Sequence, residues 1–163
     1  GYWSSVLHPE GTVACGAWSP DDQQVYFGTS GGRMGVLDIR GAPVSRVNLS
    51  DDSGISSVAW SCEGFCMGES RKKSDYLFKH VLAICCGDGS VQLVRRCDDP
   101  APILMCAGLC PICVEWANSK GLLCVAGSGP GGLCVNIVRI YSDTGQLVYS
   151  INMPQSSVSF IIL

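Results

Sequence analysis

Three features of the 163-residue chain predict an all-β fold made of repeated four-stranded sheets. A tryptophan returns in one local setting, short apolar runs follow it in a fixed order, and no stretch carries the period of a long helix. Trp18, Trp60 and Trp116 stand in "CGAWSPDD", "SVAWSCEG" and "CVEWANSK", with small or β-branched residues before the indole and a polar turn after it. Their separations are 42 and 56 residues. The next apolar run begins 7 residues after Trp18, 21 after Trp60 and 6 after Trp116, so one loop of about 14 extra residues in the middle unit restores a period of 42.

The strands of each unit follow in order. The first ends at the tryptophan. The second is "VYFGT", "HVLAICCG" or "LLCVAG", closed by a glycine turn, "SGGR", "GDGS" or "SGPGG". The third is "MGVLDI", "VQLVRR" or "VNIVRIY", and after a polar turn comes the fourth, "VSRVNL", "ILMCA" or "LVYSI". Runs this short, rich in Val, Ile, Leu and Cys, read as strands joined by hairpins.

A period near 42 with four strands per unit predicts a partial WD40-type β-propeller, about three antiparallel blades plus flanking strands. The expected divisions are 1–10, the outer strand of a preceding blade ("YWSSVL", Tyr2 to Leu7); 11–52, a blade; 53–108, a blade with an inserted loop at 62–79; 109–153, a blade; and 154–163, the start of the next. A closed propeller needs about four to eight blades. Three and a fraction therefore read as an arc of a larger protein, a fragment, and "VSFIIL" at the end reads as a cut. A lone arc is expected to leave apolar blade faces exposed and to self-associate.

Composition narrows the function classes. Net charge is −3 with 15% charged residues, so no global positive field draws in nucleic acid or an anionic membrane. The basic cluster Arg71, Lys72 and Lys73 is balanced by Glu69 and Asp75 and reads as a solvated loop. No segment approaches the roughly 18–20 consecutive apolar residues of a membrane span, and the first ten residues lack the pattern of a secretory signal. A cytoplasmic location is expected.

Eleven cysteines invite a disulfide, metal or redox reading. The odd count and a strand repeat that supplies its own core argue against a disulfide framework. Cys62 with Cys66 and Cys110 with Cys113 have zinc-ligand spacing, but the first pair follows a first strand while the second is expected to precede one. The pairs should then lie on opposite faces of the disc, about 17 Å apart, too far to share one ion. Cys106, Cys110 and Cys113 with a further ligand stay open. "CPIC" has a redox spacing without the following helix that would lower a thiolate pKa. Cys15, Cys85, Cys86, Cys124 and Cys134 read as small apolar strand residues in a reducing compartment.

Other chemistry is equally sparse. His8 precedes Pro9 in a turn and His80 opens a strand, neither with a nucleophile and acid at a recognisable spacing. "GTSGGRMG", Gly28 to Gly35, lacks the Gly-Lys-Ser/Thr ending of a phosphate loop and joins strand to strand. Asp38 and Asp88 read as strand-end and turn residues. No catalytic, cofactor or metal residues are assigned, and no enzyme activity is expected. The insertion 62–79 mixes charge with Phe65, Met67, Tyr76, Leu77 and Phe78, and reads either as a spacer or as a partner-docking loop.

"YWSSVL", "VACGAWSPDDQQVYFGTSGG" (Val13 to Gly32), "ISSVAWSCEGF" (Ile55 to Phe65), "PICVEWANSKGLLCVAG" (Pro111 to Gly127) and "VNIVRIYSDTG" (Val135 to Gly145) together resemble the N-terminal WD-repeat propeller of the tubby-like protein 4 family. The WD-repeat subunit of the intraflagellar transport A complex is similar, less closely. The first resemblance implies a protein-interaction module that selects substrates for a cullin E3 ubiquitin ligase. In that family a SOCS box contacts elongin and cullin, and a tubby domain follows; neither is among these 163 residues. The second implies a ciliary transport scaffold, and the cysteines leave a metal or redox protein as a third reading.

Two departures stand out. "SSVSFIIL" lacks the next first-strand tryptophan, and the Gly-His and Trp-Asp pairs of strong WD repeats are missing from all three blades. Blade packing is accordingly expected to rest on apolar contacts.

Overall fold

The computed structural model describes residues 11–50, 52–61, 80–117, 121–129, 136–142 and 145–153. They form twelve strands in three antiparallel four-stranded sheets, each taken in chain order. Blade 1 holds β1 (Val13–Trp18), β2 (Gln24–Thr29), β3 (Arg33–Asp38) and β4 (Pro43–Asn48). Blade 2 holds β5 (Ile55–Trp60), β6 (Leu82–Cys86), β7 (Ser90–Val94) and β8 (Ile103–Cys106). Blade 3 holds β9 (Cys110–Trp116), β10 (Leu123–Ser128), β11 (Asn136–Tyr141) and β12 (Leu147–Met153). The strands taken from "YWSSVL" and from Pro154 onward, and the insertion 62–79, lie outside the described residues.

Each first hairpin closes just past its tryptophan. The Ser19 amide donates to the Gln24 carbonyl at 2.8 Å, and Ser19 Oγ accepts from the Gln24 amide at 3.0 Å and donates to Asp21 Oδ1 at 2.6 Å. Ser61 repeats this with Val81, amide to carbonyl at 2.8 Å and hydroxyl from amide at 2.8 Å. Ala117 keeps only the backbone bond, to Leu122 at 2.9 Å. The second turn uses glycine where the chain passes into positive φ, Gly32 at 76° and Gly89 at 90°. The Gly32 carbonyl then accepts from Leu49, and that of Gly89 from Ala107, which ties each turn to the end of its blade's fourth strand.

One feature repeats that the composition does not announce. The pairing of the first strand slips by one residue in every blade, between Val13 and Cys15, between Ile55 and Ser57, and between Pro111 and Cys113. The unpaired residues Ala14, Ser56 and Ile112 each stand four positions before the tryptophan. A bulge there adds twist and re-aims the side chains on either side of it.

The blades stack with their first strands side by side, β5 between β1 and β9. Tyr26, Met34 and Val36 of blade 1 meet Ile55, Leu82, Ile84 and Val94 of blade 2 in one buried cluster. Ala83, Val91 and Leu93 of blade 2 meet Trp116, Leu123, Val125 and Tyr141 of blade 3 in another. With a neighbour on both sides, all five residues of β6 are buried. Burying a side chain of this size contributes about 1.5–3 kcal/mol, so the two junctions carry most of the hydrophobic stabilisation.

Trp60 and Trp116 are each seated on the blade before their own. Trp60 meets Tyr26 of blade 1 edge to face, ring centres 5.0 Å apart and planes at 86°. Trp116, only 5% exposed, donates its indole N–H to the Ala59 carbonyl of blade 2 at 3.0 Å. Trp18 has no described blade before it and is 56% exposed. The repeat therefore gives each tryptophan its place, and the neighbouring blade gives it its burial.

Two expectations need correction. Cys110 and Cys113 lie within β9, not ahead of it; the bulge at Ile112 sets them opposite Ser128 and Ala126, two positions apart on β10, which turns both to the same face. The packing between blades is also not purely apolar. Ser57 Oγ accepts from the Val114 amide at 3.3 Å, the Trp116 indole reaches Ala59, and the Arg139 guanidinium donates to the Ala107 carbonyl. Backbone carbonyls and a serine thus carry polar links where the Gly-His and Trp-Asp pairs are missing.

Candidate interaction surface

Register assigns two faces to every blade. The tryptophan face carries the residues paired across from the indole: Trp18, Val25 and Leu37 in blade 1, Trp60, Leu82 and Val94 in blade 2, Trp116, Leu123 and Tyr141 in blade 3. In blades 2 and 3 this face lies against the preceding blade, and the second-strand leucines are fully buried. In blade 1 the same positions stay partly open, and Phe27, which holds the place of Ile84 and Val125, is only half-buried.

A cleft of about 230 Å³ opens on that face, lined by Phe27, Gly35, Leu37, Pro43, Val44 and Arg46. Gly35 lets the Phe27 ring lie flat against β3, because the ring occupies the place where a Cβ would stand.

Among the described residues, no blade lies against the other face of blade 3. Cys124, Ile140 and Tyr149 align across one row, and Ala126, Val138 and Ile151 across the next. Tyr149 is 63% and Ile151 46% exposed. The corresponding rows of blades 1 and 2 contain Tyr26 with Val36 and Ala83 with Leu93, all buried against the following blade. Exposed apolar faces are what a lone arc is expected to leave, but these residues are ordinary strand residues in sequence. Membership of the first or last described unit was the only signal that could have singled them out.

The chemistry-bearing residues do not converge. Among the described residues no three or more His, Cys, Asp or Glu side chains gather where they could hold a metal ion. Cys110 and Cys113 share an exposed face with no third ligand among the described residues, and Cys106 ends β8. Burial pushes the Cys85 thiol up to about 12, and burial likewise raises Cys15, Cys86, Cys113 and Cys124. Such thiols stay protonated at neutral pH, unlike a reactive thiolate. Cys15, Cys85, Cys86 and Cys124 lie in strands. Cys62, Cys66, Cys134 and His8 lie outside the described residues.

The remaining polar candidates shape turns. His80 precedes β6, and its Nδ1 is 2.9 Å from the Ser61 carbonyl, which accepts from it. Asp38 Oδ1 accepts from the Arg40 and Ala42 amides, and Asp88 Oδ1 from the amide and hydroxyl of Ser90. The Ser90 hydroxyl, then its amide, hold the Asp88 carboxyl below its ordinary value. Gly28 to Gly35 spans the end of β2, a tight turn and the start of β3. Among the described residues no helix is long and apolar enough to cross a membrane.

Three stacked four-stranded sheets of this order define a partial β-propeller of the WD-repeat class. Comparison with known proteins agrees. The chain is 28% identical to tubby-related protein 4 of Mus musculus across 93% of its own length, and 24% identical to WD repeat-containing protein 35 of Homo sapiens across 87%. It spans 12% of the length of these relatives. No family model matches. Among solved structures it superposes on Chaetomium thermophilum Sqt1, crystallised bound to the N-terminus of ribosomal protein L10, with a TM-score of 0.65 at 19% identity, covering 90% of this chain and 35% of that one.

Proposed function

We propose that this chain is a protein-binding platform, the WD-repeat part of a substrate-recognition component for a cullin E3 ubiquitin ligase acting in the cytoplasm. The observation behind this reading is the similarity to tubby-related protein 4, which runs through all three blades. A propeller arc offers rigid blades with loops at their ends, a framework suited to holding a protein segment. The chain's role is to hold the protein to be modified, while elongin and cullin attach through a SOCS box located elsewhere in such a protein. The insertion 62–79 is the docking loop in this reading, with Phe65 and Tyr76 to Phe78 as its apolar anchors.

Expression of the chain alone in cells tests this. Without ligase contacts it competes for substrates, so proteins that co-purify with it should lose ubiquitin conjugates and live longer. Unchanged turnover of every co-purifying protein contradicts the ligase reading. A second reading, a scaffold of the intraflagellar transport A complex, has the similarity to WD repeat-containing protein 35 behind it. Co-purification of that complex's subunits, with turnover unchanged, favours it.

A further inference from the structure

We infer that Arg139, in the seam between blades 2 and 3, anchors a carboxylate brought by a bound molecule, the side chain of an acidic residue in a protein segment. Val114, Val125, Arg139 and Ser150 form one row across blade 3, on the face that lies against blade 2. The two valines are buried, so the stem of Arg139 runs along the junction, and its guanidinium meets the connection from β8 to β9. There Nη1 donates to the Ala107 carbonyl, and Nε is buried with no partner among the described residues. Nη2 has no hydrogen bond among them either and, unlike Nε, is not enclosed.

A half-buried cation calls for a counter-charge, and the described residues supply none. Glu115, the one described carboxylate of blade 3, stands across from Cys124 on the other face of the sheet. Asp88 lies in the blade 2 turn that the Ala107 amide reaches through the Gly89 carbonyl, but its carboxylate is engaged by the amide and hydroxyl of Ser90. Gly108 keeps the approach clear. It is exposed, its φ is 60°, and a Cβ there would meet only Arg139 within 4 Å, with Nη1 at 3.0 Å. The seam has thus already stripped part of the water from the cation, while Nη2 and the second hydrogen of Nη1 stay unused. A carboxylate fits that fork with two parallel hydrogen bonds. A phosphoryl group, with about two charges, calls for a second cation, and Arg139 is the only lysine or arginine among the described residues of blade 3. That the carboxylate comes from a protein rests on the protein-binding reading above; the anion site itself does not depend on the ligase role.

NMR titration of the 163-residue chain tests this with three probes at constant ionic strength: N-acetylglutamate amide, its neutral glutamine counterpart, and inorganic phosphate. The glutamate probe should shift the signals of Arg139, Ala107 and Gly108 saturably, the glutamine probe should not, and phosphate should bind more weakly. Arg139→Gln should weaken the glutamate probe at least about tenfold, the effect of losing one charge-assisted hydrogen bond. Ser150→Glu sets a carboxylate directly across from Arg139 on β12 and should block the probe, whereas Ser150→Gln should leave it bound. No saturable shift in the unaltered chain overturns the proposal, and so does an equal shift with the glutamine probe. Binding that is unchanged in Arg139→Gln, or that persists in Ser150→Glu, overturns it as well. Phosphate that binds more tightly than the glutamate probe overturns the assignment to a carboxylate. If Arg139→Gln is unfolded by circular dichroism, the two Ser150 variants decide alone. Failure here leaves the ligase reading standing, because co-purification and turnover test that reading separately.

Discussion

Trp60 and Trp116 hold the same place in the repeat and differ by one hydrogen bond. The Trp116 indole N–H reaches the Ala59 carbonyl, whereas Trp60 Nε1 is buried with no partner among the described residues. Phenylalanine at either position keeps an aromatic ring and removes the N–H. At Trp116 this strips a buried carbonyl of its donor; at Trp60 it removes an orphaned donor. Trp116→Phe should therefore cost about 1–2 kcal/mol more than Trp60→Phe in urea unfolding, and equal costs would contradict the junction described. Asp99 allows a second prediction at this scale. Its carboxylate accepts from Arg95 Nε and a terminal nitrogen at 2.8 and 2.7 Å and from the Arg95 and Ala101 amides, which hold its pKa down to about 2. A depressed carboxyl contributes stability above its unfolded value near 3.9 and loses it as pH falls through the folded value. Stability should drop between about pH 4 and pH 2, and Asp99→Asn should flatten that drop by removing the titrating group.

At the scale of single elements, the strands were legible and their irregularities were not. "VYFGT" and "LLCVAG" announce strands because β-branched and aromatic residues end abruptly at glycine turns. Ala14, Ser56 and Ile112 share no chemistry, so nothing in composition marks them as bulges. Pro111 reads as a breaker, which places Cys110 and Cys113 ahead of the strand, but β9 begins at Cys110, and the bulge at Ile112 sets the face the two share. Burial was legible only as far as it is local: Trp18 and Trp116 look alike in sequence, and a neighbouring blade separates them. The bulge at Ser56 holds Ile55, 1% exposed, opposite Cys86 on the face of the first junction. Ile55→Ala should cost about 2–5 kcal/mol in urea unfolding, the cost of emptying a buried isoleucine site; a negligible cost would contradict that placement. Amide exchange reads the same hierarchy. Leu82–Cys86, covered on both faces, should exchange at least about tenfold more slowly than Leu147–Met153, whose residues are exposed at six of seven positions.

For the molecule as a whole, stability is a sum over blades and over the junctions between them. The two junctions here differ in their links, the first pairing Tyr26 with Trp60 and Ser45 with Cys97, the second joined through Ser57, Trp116 and Arg139. The candidate surface was the least legible level, because the same strand residues serve as core within the arc and as surface at its ends. Everything rests on blades that stack so that Trp60 and Trp116 sit on the blade before their own. The most direct measurement is a double-mutant cycle on Tyr26→Leu and Trp60→Leu, residues of different blades whose rings are 5.0 Å apart. Stacked blades predict a coupling of about 0.5–1.5 kcal/mol between the two changes; costs that add to within about 0.3 kcal/mol would show that the two blades do not meet there.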